Sequence, residues 1–244
     1  MSILVIGAGG TIGRACVEAF LHDLHFKKEK IVAVDLKEPS IPGAEAVTLD
    51  VTNINQVRDV LNSVEKSSPI SGVVYAAGLN TTGPVDSIDW LDYERVMGVN
   101  LKGAFHIGSV IMEILRKQPR TFASAFVSST AGLMGEAGGS IYCASKFGLI
   151  GFTQSFAREV AAFGGRANII CPGNVDSPML SELAEKIGAR EGRSGKDVLD
   201  QWINISAFKR LISPKEVADS CLWLLSDSSS GVSGQTIVVD GARA

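Results

Sequence analysis

Short apolar runs rich in β-branched residues alternate with longer amphipathic stretches along the whole chain. This alternation is typical of parallel strands joined by crossover helices. The runs are almost continuously apolar, as strands covered by helices on both faces must be. The pattern therefore predicts an α/β fold, a doubly wound parallel sheet of about seven strands with helices on both faces. The predicted strands are residues 2–6, 30–35, 46–49, 72–76, 123–128, 166–171 and 236–239, and the predicted helices include residues 12–24, 54–66, 101–116, 141–163 and 214–225.

Length and composition favour one domain over residues 1–244, because a chain with 45% hydrophobic residues can bury one large core. A net charge of −3 gives no basic field, so no nucleic acid partner is expected. No apolar stretch reaches the roughly 18 residues of a membrane span and the first residues do not resemble a signal peptide, which predicts no membrane partner and a cytoplasmic location. The four cysteines and three histidines lack metal-ligand spacing, so no metal is expected.

Residues 177–209 interrupt the alternation with glycines mixed among charged and apolar residues. One interpretation is a mobile insertion that serves as a lid over a substrate, since doubly wound proteins bind ligands beyond the carboxyl ends of their strands. The other is an ordinary pair of surface helices.

A glycine-rich turn joins the first predicted strand to the first predicted helix. It reads Gly7-Ala8-Gly9-Gly10-Thr11-Ile12-Gly13. Glycines let the backbone turn tightly and approach a pyrophosphate, and the helix N-terminus offers free N–H groups. The turn therefore predicts a dinucleotide site in a single-domain Rossmann-type fold.

Two carboxylates follow the next two strands. Asp35 ends the second strand, about twenty residues beyond the glycine turn, where a carboxylate can accept hydrogen bonds from the adenosine ribose and repel a 2′-phosphate. Since the turn holds no Arg or Lys, NAD is favoured over NADP, although Lys37 nearby could soften the repulsion. The alternative is that Asp35 only starts a turn. Asp50 follows the third strand and could cap the helix that starts near Asn53 or bind the adenine edge.

Tyr142 and Lys146 lie four residues apart in a predicted helix, so their side chains share one face. A phenol has an ordinary pKa of about 10, and a neighbouring ammonium together with a positive nicotinamide ring can lower it. Tyr142 would then act as a general acid/base. Ser128, Ser129 and Thr130 end the fifth strand, and the spacing to Tyr142 favours Ser129 as the hydroxyl that holds the substrate oxygen.

Several motifs together resemble the classical short-chain dehydrogenase/reductase family over essentially the whole chain. They are the glycine turn, Ala76-Ala77-Gly78, Val99-Asn100, Ser129, Tyr142-Cys143-Ala144-Ser145-Lys146, Pro172-Gly173-Asn174-Val175-Asp176-Ser177-Pro178-Met179, and the stretch from Ser233 to Gly241. The resemblance implies cofactor contacts from the segment after Pro172, including Val175 backbone and the Ser177 hydroxyl. It also implies that Asn100 interrupts its helix and exposes a carbonyl that holds a water on a proton path from Lys146; the alternative is a plain capping Asn.

The resemblance and the residue patterns together give the following predicted sites. The catalytic residues are Asn100, Ser129, Tyr142 and Lys146, and the cofactor-binding residues are Gly7, Gly9, Gly10, Thr11, Ile12, Gly13, Asp35, Leu36, Asp50, Val51, Ala76, Ala77, Gly78, Tyr142, Lys146, Pro172, Gly173, Val175 and Ser177.

Two positions depart from the family's pattern. Thr11 stands where the turn usually has a glycine, which leaves a Gly-x-x-Gly-x-x-Gly spacing that is more typical of the family's extended members. Tyr75 replaces an Asn that often precedes Ala-Ala-Gly, and this change is expected to remove a polar tie between strands.

The expected function is hydride transfer between NAD and a secondary alcohol or ketone, a small molecule bound by residues 79–84, residues 133–136 and the segment after Ser177. We expect a fairly apolar pocket for a secondary alcohol or a cyclic hydroxylated compound. The alternatives are a catalytically silent NAD-binding sensor or scaffold of the same fold, and an epimerase or dehydratase. The resemblance also implies a homo-oligomer, a tetramer, that pairs through residues 101–116 and 141–163.

Overall fold

The computed structural model describes residues 1–242, and seven strands are found there. They are β1 (Ser2–Ile6), β2 (Lys30–Asp35), β3 (Glu45–Thr48), β4 (Ile70–Tyr75), β5 (Phe122–Val127), β6 (Gly165–Pro172) and β7 (Thr236–Val239). All pair in parallel, in the order β3-β2-β1-β4-β5-β6-β7. The predicted doubly wound parallel sheet is therefore confirmed.

Helices cover both faces of the sheet. They are α1 (Thr11–His22), α2 (Ile54–Ser67), α3 (Trp90–Met97), α4 (Ala104–Lys117), α5 (Ser140–Val160), α6 (Pro178–Glu191), α7 (Gly195–Ile205) and α8 (Pro214–Leu225). One core lies between the sheet and α2, α4 and α5 and includes Leu61, Ile107 and Leu149. The other lies between the sheet and α1 and α8 and includes Phe20 and Leu224. Burial on both faces explains why the strands are almost wholly apolar.

The predicted elements agree closely with the observed ones, apart from α3. Three strands have the predicted bounds, and the other four differ by one or two residues at their ends. Helix α3 was not predicted. It buries only Val96, while Trp90 and Leu91 are 76% and 60% exposed, so its sequence lacks the apolar stripe by which a helix is recognised.

The strand order reverses between β1 and β4, which lie side by side although α1, β2, β3 and α2 separate them in sequence. Chains that leave two such strands in opposite directions open a crevice at their carboxyl ends. The turns after β1 and β4 meet there closely. A Cβ built on Gly7, whose φ is +86°, would stand 2.4 Å from the Ala77 nitrogen, so only glycine fits this position.

The segment predicted as a lid or a helix pair forms the two helices α6 and α7, which pack against each other. Each begins with a serine cap. Ser177 accepts a hydrogen bond from the Leu180 amide, and Ser194 forms a reciprocal capping box with Asp197. None of the helices in residues 1–242 is long and apolar enough to cross a membrane.

A turn of π-helix, Gly98–Gly103, joins α3 to α4, so α4 begins at Ala104 rather than at residue 101. The fully buried Tyr75, at the end of β4, donates a hydrogen bond from its hydroxyl to the Val99 carbonyl at 2.5 Å. A Cβ on Gly103 would lie 2.5 Å from that hydroxyl. Tyr75 therefore ties the sheet to the π-helical turn, a polar contact different from the tie between strands whose loss was expected.

Tyr75→Phe tests this tie. The change removes only the hydroxyl, and since the lost hydrogen bond is fully buried, we expect the free energy of unfolding to fall by about 1–2 kcal/mol. Urea denaturation measures it. Tyr93→Phe is the matched control, because Tyr93 is 39% exposed and should change stability little. Equal stability of the two variants would contradict the structural role of Tyr75.

Candidate active site

A cavity of about 600 Å³ opens in the crevice at the switch point. It is bounded by the turns after β1, β2, β3 and β4 and by the first turns of α5 and α6. Of the predicted cofactor residues, those that line it are Gly7, Gly9, Gly10, Thr11, Ile12, Gly13, Asp35, Leu36, Asp50, Val51, Ala76, Ala77, Gly78, Tyr142, Lys146 and Ser177.

The glycine turn has the shape that a dinucleotide requires. A Cβ on Gly13 would lie 2.0 Å from the Gly7 carbonyl oxygen, so α1 approaches β1 as closely as backbone allows. Gly10 caps α1 without a side-chain hydrogen bond, and Thr11 is the first helical residue. Thr11, Ile12 and Gly13 line the cavity, so the first turn of α1, whose N–H groups have no partner within the helix, lies in its wall and suits an anionic pyrophosphate.

Asp35 lies beside the glycine turn. Its two carboxylate oxygens accept hydrogen bonds from the Gly9 amide at 2.8 Å and the Leu36 amide at 2.7 Å, which fixes the carboxylate in the cavity wall. Each oxygen can accept a further bond from a ribose hydroxyl. Two cations, Arg14 and Lys37, also line the cavity, and the sequence did not associate Arg14 with this site.

Asp50 does not cap α2. The N-cap is Asn53, whose side chain accepts from the amides of Asn55 and Gln56. Asp50 instead accepts hydrogen bonds from the amide and hydroxyl of Thr52 at 2.9 and 2.7 Å, and it lines the cavity next to Val51. Of the two roles considered for Asp50, the capping role is wrong.

Lys146 is buried in α5, and its ammonium donates to the Val127 carbonyl at the end of β5 at 2.9 Å. The ammonium also lies 5.6 Å from the centre of the Tyr142 ring. Burial lowers the pKa of Lys146 to about 8, so the side chain still holds its proton at neutral pH.

The protein alone does not make Tyr142 acidic. Burial raises the pKa of Tyr142 to about 12, a hydrogen bond with Ser129 lowers it, and the negative charge of Glu136 raises it. The lowering by Lys146 that the sequence suggested is not among the causes. A low pKa of this phenol therefore requires a further positive charge.

The hydroxyls after β5 have different partners. Ser129 shares a hydrogen bond with the Tyr142 hydroxyl. The Ser129 oxygen also accepts a hydrogen bond from the Ala131 amide at 3.1 Å. Ser128 donates to the Lys146 carbonyl at 3.0 Å and thus anchors α5. The geometry brings Ser129 and not Ser128 to the phenol.

Asn100 lies fully buried in the π-helical turn, and its side chain joins three elements. Its amide nitrogen donates to the Leu79 carbonyl and the Ser145 hydroxyl, both at 2.9 Å, and its oxygen accepts from the Leu79 amide at 2.8 Å. Ser145 in turn donates to the Tyr142 carbonyl at 2.8 Å. Asn100 therefore fixes the loop after β4 against α5, a role that the spacing gave no sign of.

The segment after β6 borders both sides of the site. Ser177 lines the cavity and donates to the Val175 carbonyl at 3.1 Å. Val175 is buried and pairs with Ile212 in an isolated parallel bridge. Among the predicted contacts, Pro172, Gly173 and Val175 do not line the first cavity, and Gly173 instead borders a second one.

The second cavity has a volume of about 380 Å³, and Tyr142 belongs to the walls of both cavities. Ser129, the loop from Asn80 to Thr82 and helices α6 and α7 also line it. The predicted segments contribute Asn80, Glu136 and Trp202 to this cavity. Leu133 and Met134 do not line it and three arginines do, so the lining is more polar than expected. Within residues 1–242, no group of His, Cys, Asp and Glu is arranged to hold a metal ion.

Comparisons with known proteins agree with this architecture. A family model described as enoyl-(acyl carrier protein) reductase matches residues 9–242. A 3-oxoacyl-[acyl-carrier-protein] reductase of Thermotoga maritima is 32% identical over 98% of this chain and 95% of its own length. The chain belongs to the short-chain dehydrogenase/reductase family. As a member of this family it is an oxidoreductase.

Other short-chain dehydrogenases/reductases are similar over comparable lengths. A (3R)-3-hydroxyacyl-CoA dehydrogenase of Canis lupus familiaris is 32% identical over 98% of this chain and 94% of its own. The structure of the aldohexose dehydrogenase of Thermoplasma acidophilum superposes with a TM-score of 0.88 at 27% identity, covering 98% and 92% of the two chains. Dehydrogenases and reductases of different substrates thus share this fold.

Proposed function

We propose that the chain is an NAD-dependent oxidoreductase that interconverts a secondary alcohol and a ketone. The observation that carries the proposal is the position of Tyr142 in the common wall of two cavities, one beside the glycine turn and one lined by Ser129. A general acid/base must reach the reacting group of the substrate while that group faces the cofactor. Tyr142 has this position.

The first cavity suits NAD through the glycine turn, the free N–H groups of α1 and the Asp35 carboxylate. When bound, NAD would supply the hydride acceptor and, in its oxidised form, a positive charge. During oxidation, Ser129 holds the alcohol oxygen and Tyr142 takes the hydroxyl proton as the carbon gives up its hydride. Reduction runs in reverse.

Lys146 and Asn100 support this proton transfer. The Lys146 ammonium, held by Val127, keeps a positive charge beside Tyr142 and can bond the nicotinamide ribose. Asn100 holds the loop after β4 against the start of α5 through hydrogen bonds to Leu79 and Ser145. The family resemblance implies that the Asn100 carbonyl holds a water on the proton path, and the place of Asn100 in a π-helical turn supports this role because such a turn interrupts regular α-helical hydrogen bonding. In this arrangement Asn100 is more than a capping residue.

Assembly and location also belong to the proposal. Exposed aromatic side chains lie on the two long helices, with Phe105 on α4 58% exposed and Phe147 on α5 46% exposed. Burying such side chains between subunits is favourable. We propose a homotetramer paired through α4 and α5, active in the cytoplasm on a small alcohol or ketone.

Tyr142→Phe tests the chemistry. Loss of the general acid/base should lower kcat by about 10²–10⁴-fold, measured as the absorbance of reduced nicotinamide over a panel of secondary alcohols. NAD binding, followed by calorimetry, should stay within a factor of about two because the ring still fills the wall. Unchanged turnover in Tyr142→Phe would exclude the mechanism, and NAD binding with no turnover by the native protein would favour a silent sensor or scaffold. Redox-neutral conversion of a substrate would favour an epimerase or dehydratase.

Asp35→Ala tests the cofactor. The carboxylate repels a 2′-phosphate, so the native protein should bind NAD more tightly than NADP, by about tenfold or more. Asp35→Ala should lose that preference, because Arg14 and Lys37 remain in the same cavity and attract phosphate. Calorimetric titrations with both cofactors measure it. A native preference for NADP would refute the assignment of NAD.

A further inference from the structure

Three arginines line the second cavity, and two of them are already paired. Arg193 forms an ion pair with Glu191 at 2.7 Å. Arg210 forms one with Glu216 at 2.7 Å, which helps to hold the pKa of Glu216 down to about 2. Each of these two arginines therefore already has a carboxylate partner within the protein.

Arg190, near the end of α6, has a different environment. Its Nη1 donates to the Thr82 hydroxyl at 3.1 Å, and across residues 1–242 no carboxylate lies within ion-pair distance of it. The guanidinium lies against Gly138, whose φ is +76°, since a Cβ built there would be 3.1 Å from Nη2. Glycine at this position thus leaves the guanidinium room beside the loop that leads to Tyr142.

We propose that Arg190 binds an anionic group of the substrate, a carboxylate or a phosphate, carried on the same molecule as the carbon that reacts at Tyr142. This inference rests on the proposed function. Both residues line one cavity of about 380 Å³, which accommodates a small molecule that reaches both. The hydrogen bond to Thr82 ties the exposed guanidinium to the loop after β4, and the other donors of the guanidinium remain available to a substrate.

The anion is recognised by Arg190 itself rather than by the charge of the whole cavity. Glu136 and Asp240 line the same cavity, so the surroundings as a whole are not strongly positive. A planar guanidinium can donate two parallel hydrogen bonds to a carboxylate or a phosphate. An uncharged ester of the same shape gains much less from such a donor, because the charge that strengthens the bonds is missing.

The test compares ketones that differ only in this charge. Acetoacetate is paired with methyl acetoacetate, and dihydroxyacetone phosphate with dihydroxyacetone, so that the two arms separate carboxylate from phosphate. The native protein should prefer the charged member of one pair by about tenfold or more in kcat/KM. Arg190→Met, which keeps the apolar stem, should abolish that preference and leave the neutral member within about twofold. Arg193→Met is the matched control and should keep the preference, since Arg193 is already paired with Glu191.

A second measurement does not depend on turnover. Calorimetric titration of the NAD-loaded protein with malonate and with inorganic phosphate should detect binding of at least one anion, weakened about tenfold in Arg190→Met and unchanged in Arg193→Met. Equal binding by native protein and Arg190→Met, or equal turnover of charged and neutral ketones, would overturn the inference while leaving the proposed chemistry intact. Loss of all turnover together with specific anion binding at Arg190 would instead count against the proposed function alone.

Discussion

The hydrogen bond from the Lys146 ammonium to the Val127 carbonyl is the contact on which the rest of the site depends. It fixes α5 to the end of β5 at 2.9 Å, and Ser128 adds a second tie to the same turn of the helix. Tyr142 lies one turn earlier and is thereby held in the wall between two cavities. A buried ammonium costs free energy unless its donors are hydrogen-bonded, and the bond to the Val127 carbonyl offsets part of that cost.

The electrostatics of the site make activation of Tyr142 conditional. Burial and the charge of Glu136 work against a phenolate, and the hydrogen bond from Ser129 offsets them only in part, since the pKa of Tyr142 stands at about 12. A mechanism that uses this phenol near neutral pH therefore needs a further positive charge, which an oxidised nicotinamide ring would supply. The protein would then hold an unreactive phenol until the cofactor is present. Cofactor binding would lower the pKa of Tyr142 through the positive charge of the nicotinamide ring, so proton transfer would depend on bound cofactor.

The fold was largely predictable because its signal is repeated. Each strand buried on both faces leaves an apolar run, and the glycine turn requires close backbone approach at Gly7 and Gly13. The grouping of Tyr142 and Lys146 follows from helical spacing alone. Helix α3 was not predictable in this way, because little of it is buried.

The contacts that were missed lie between segments far apart in sequence. Arg190 donates a hydrogen bond to Thr82, which lies 108 positions away in sequence. Tyr75 donates one to Val99 in a π-helical turn that no local sequence pattern predicts. Arg14 resembles an ordinary surface cation in the sequence, and only the fold places it at the first cavity. The direction of the pKa shift of Tyr142 also depends on the burial of its phenol, which the spacing to Lys146 does not reveal. Charge and burial at a site are properties of the assembled fold.

The most direct test of this account is the ionisation of Tyr142 itself. The near-ultraviolet absorbance of phenolate, taken as the difference between the native protein and Tyr142→Phe, can be followed against pH with and without NAD⁺. The account predicts that oxidised cofactor lowers the midpoint of this ionisation by about two pH units or more, because it adds a positive charge beside the ring. The same midpoint with and without NAD⁺ would contradict it.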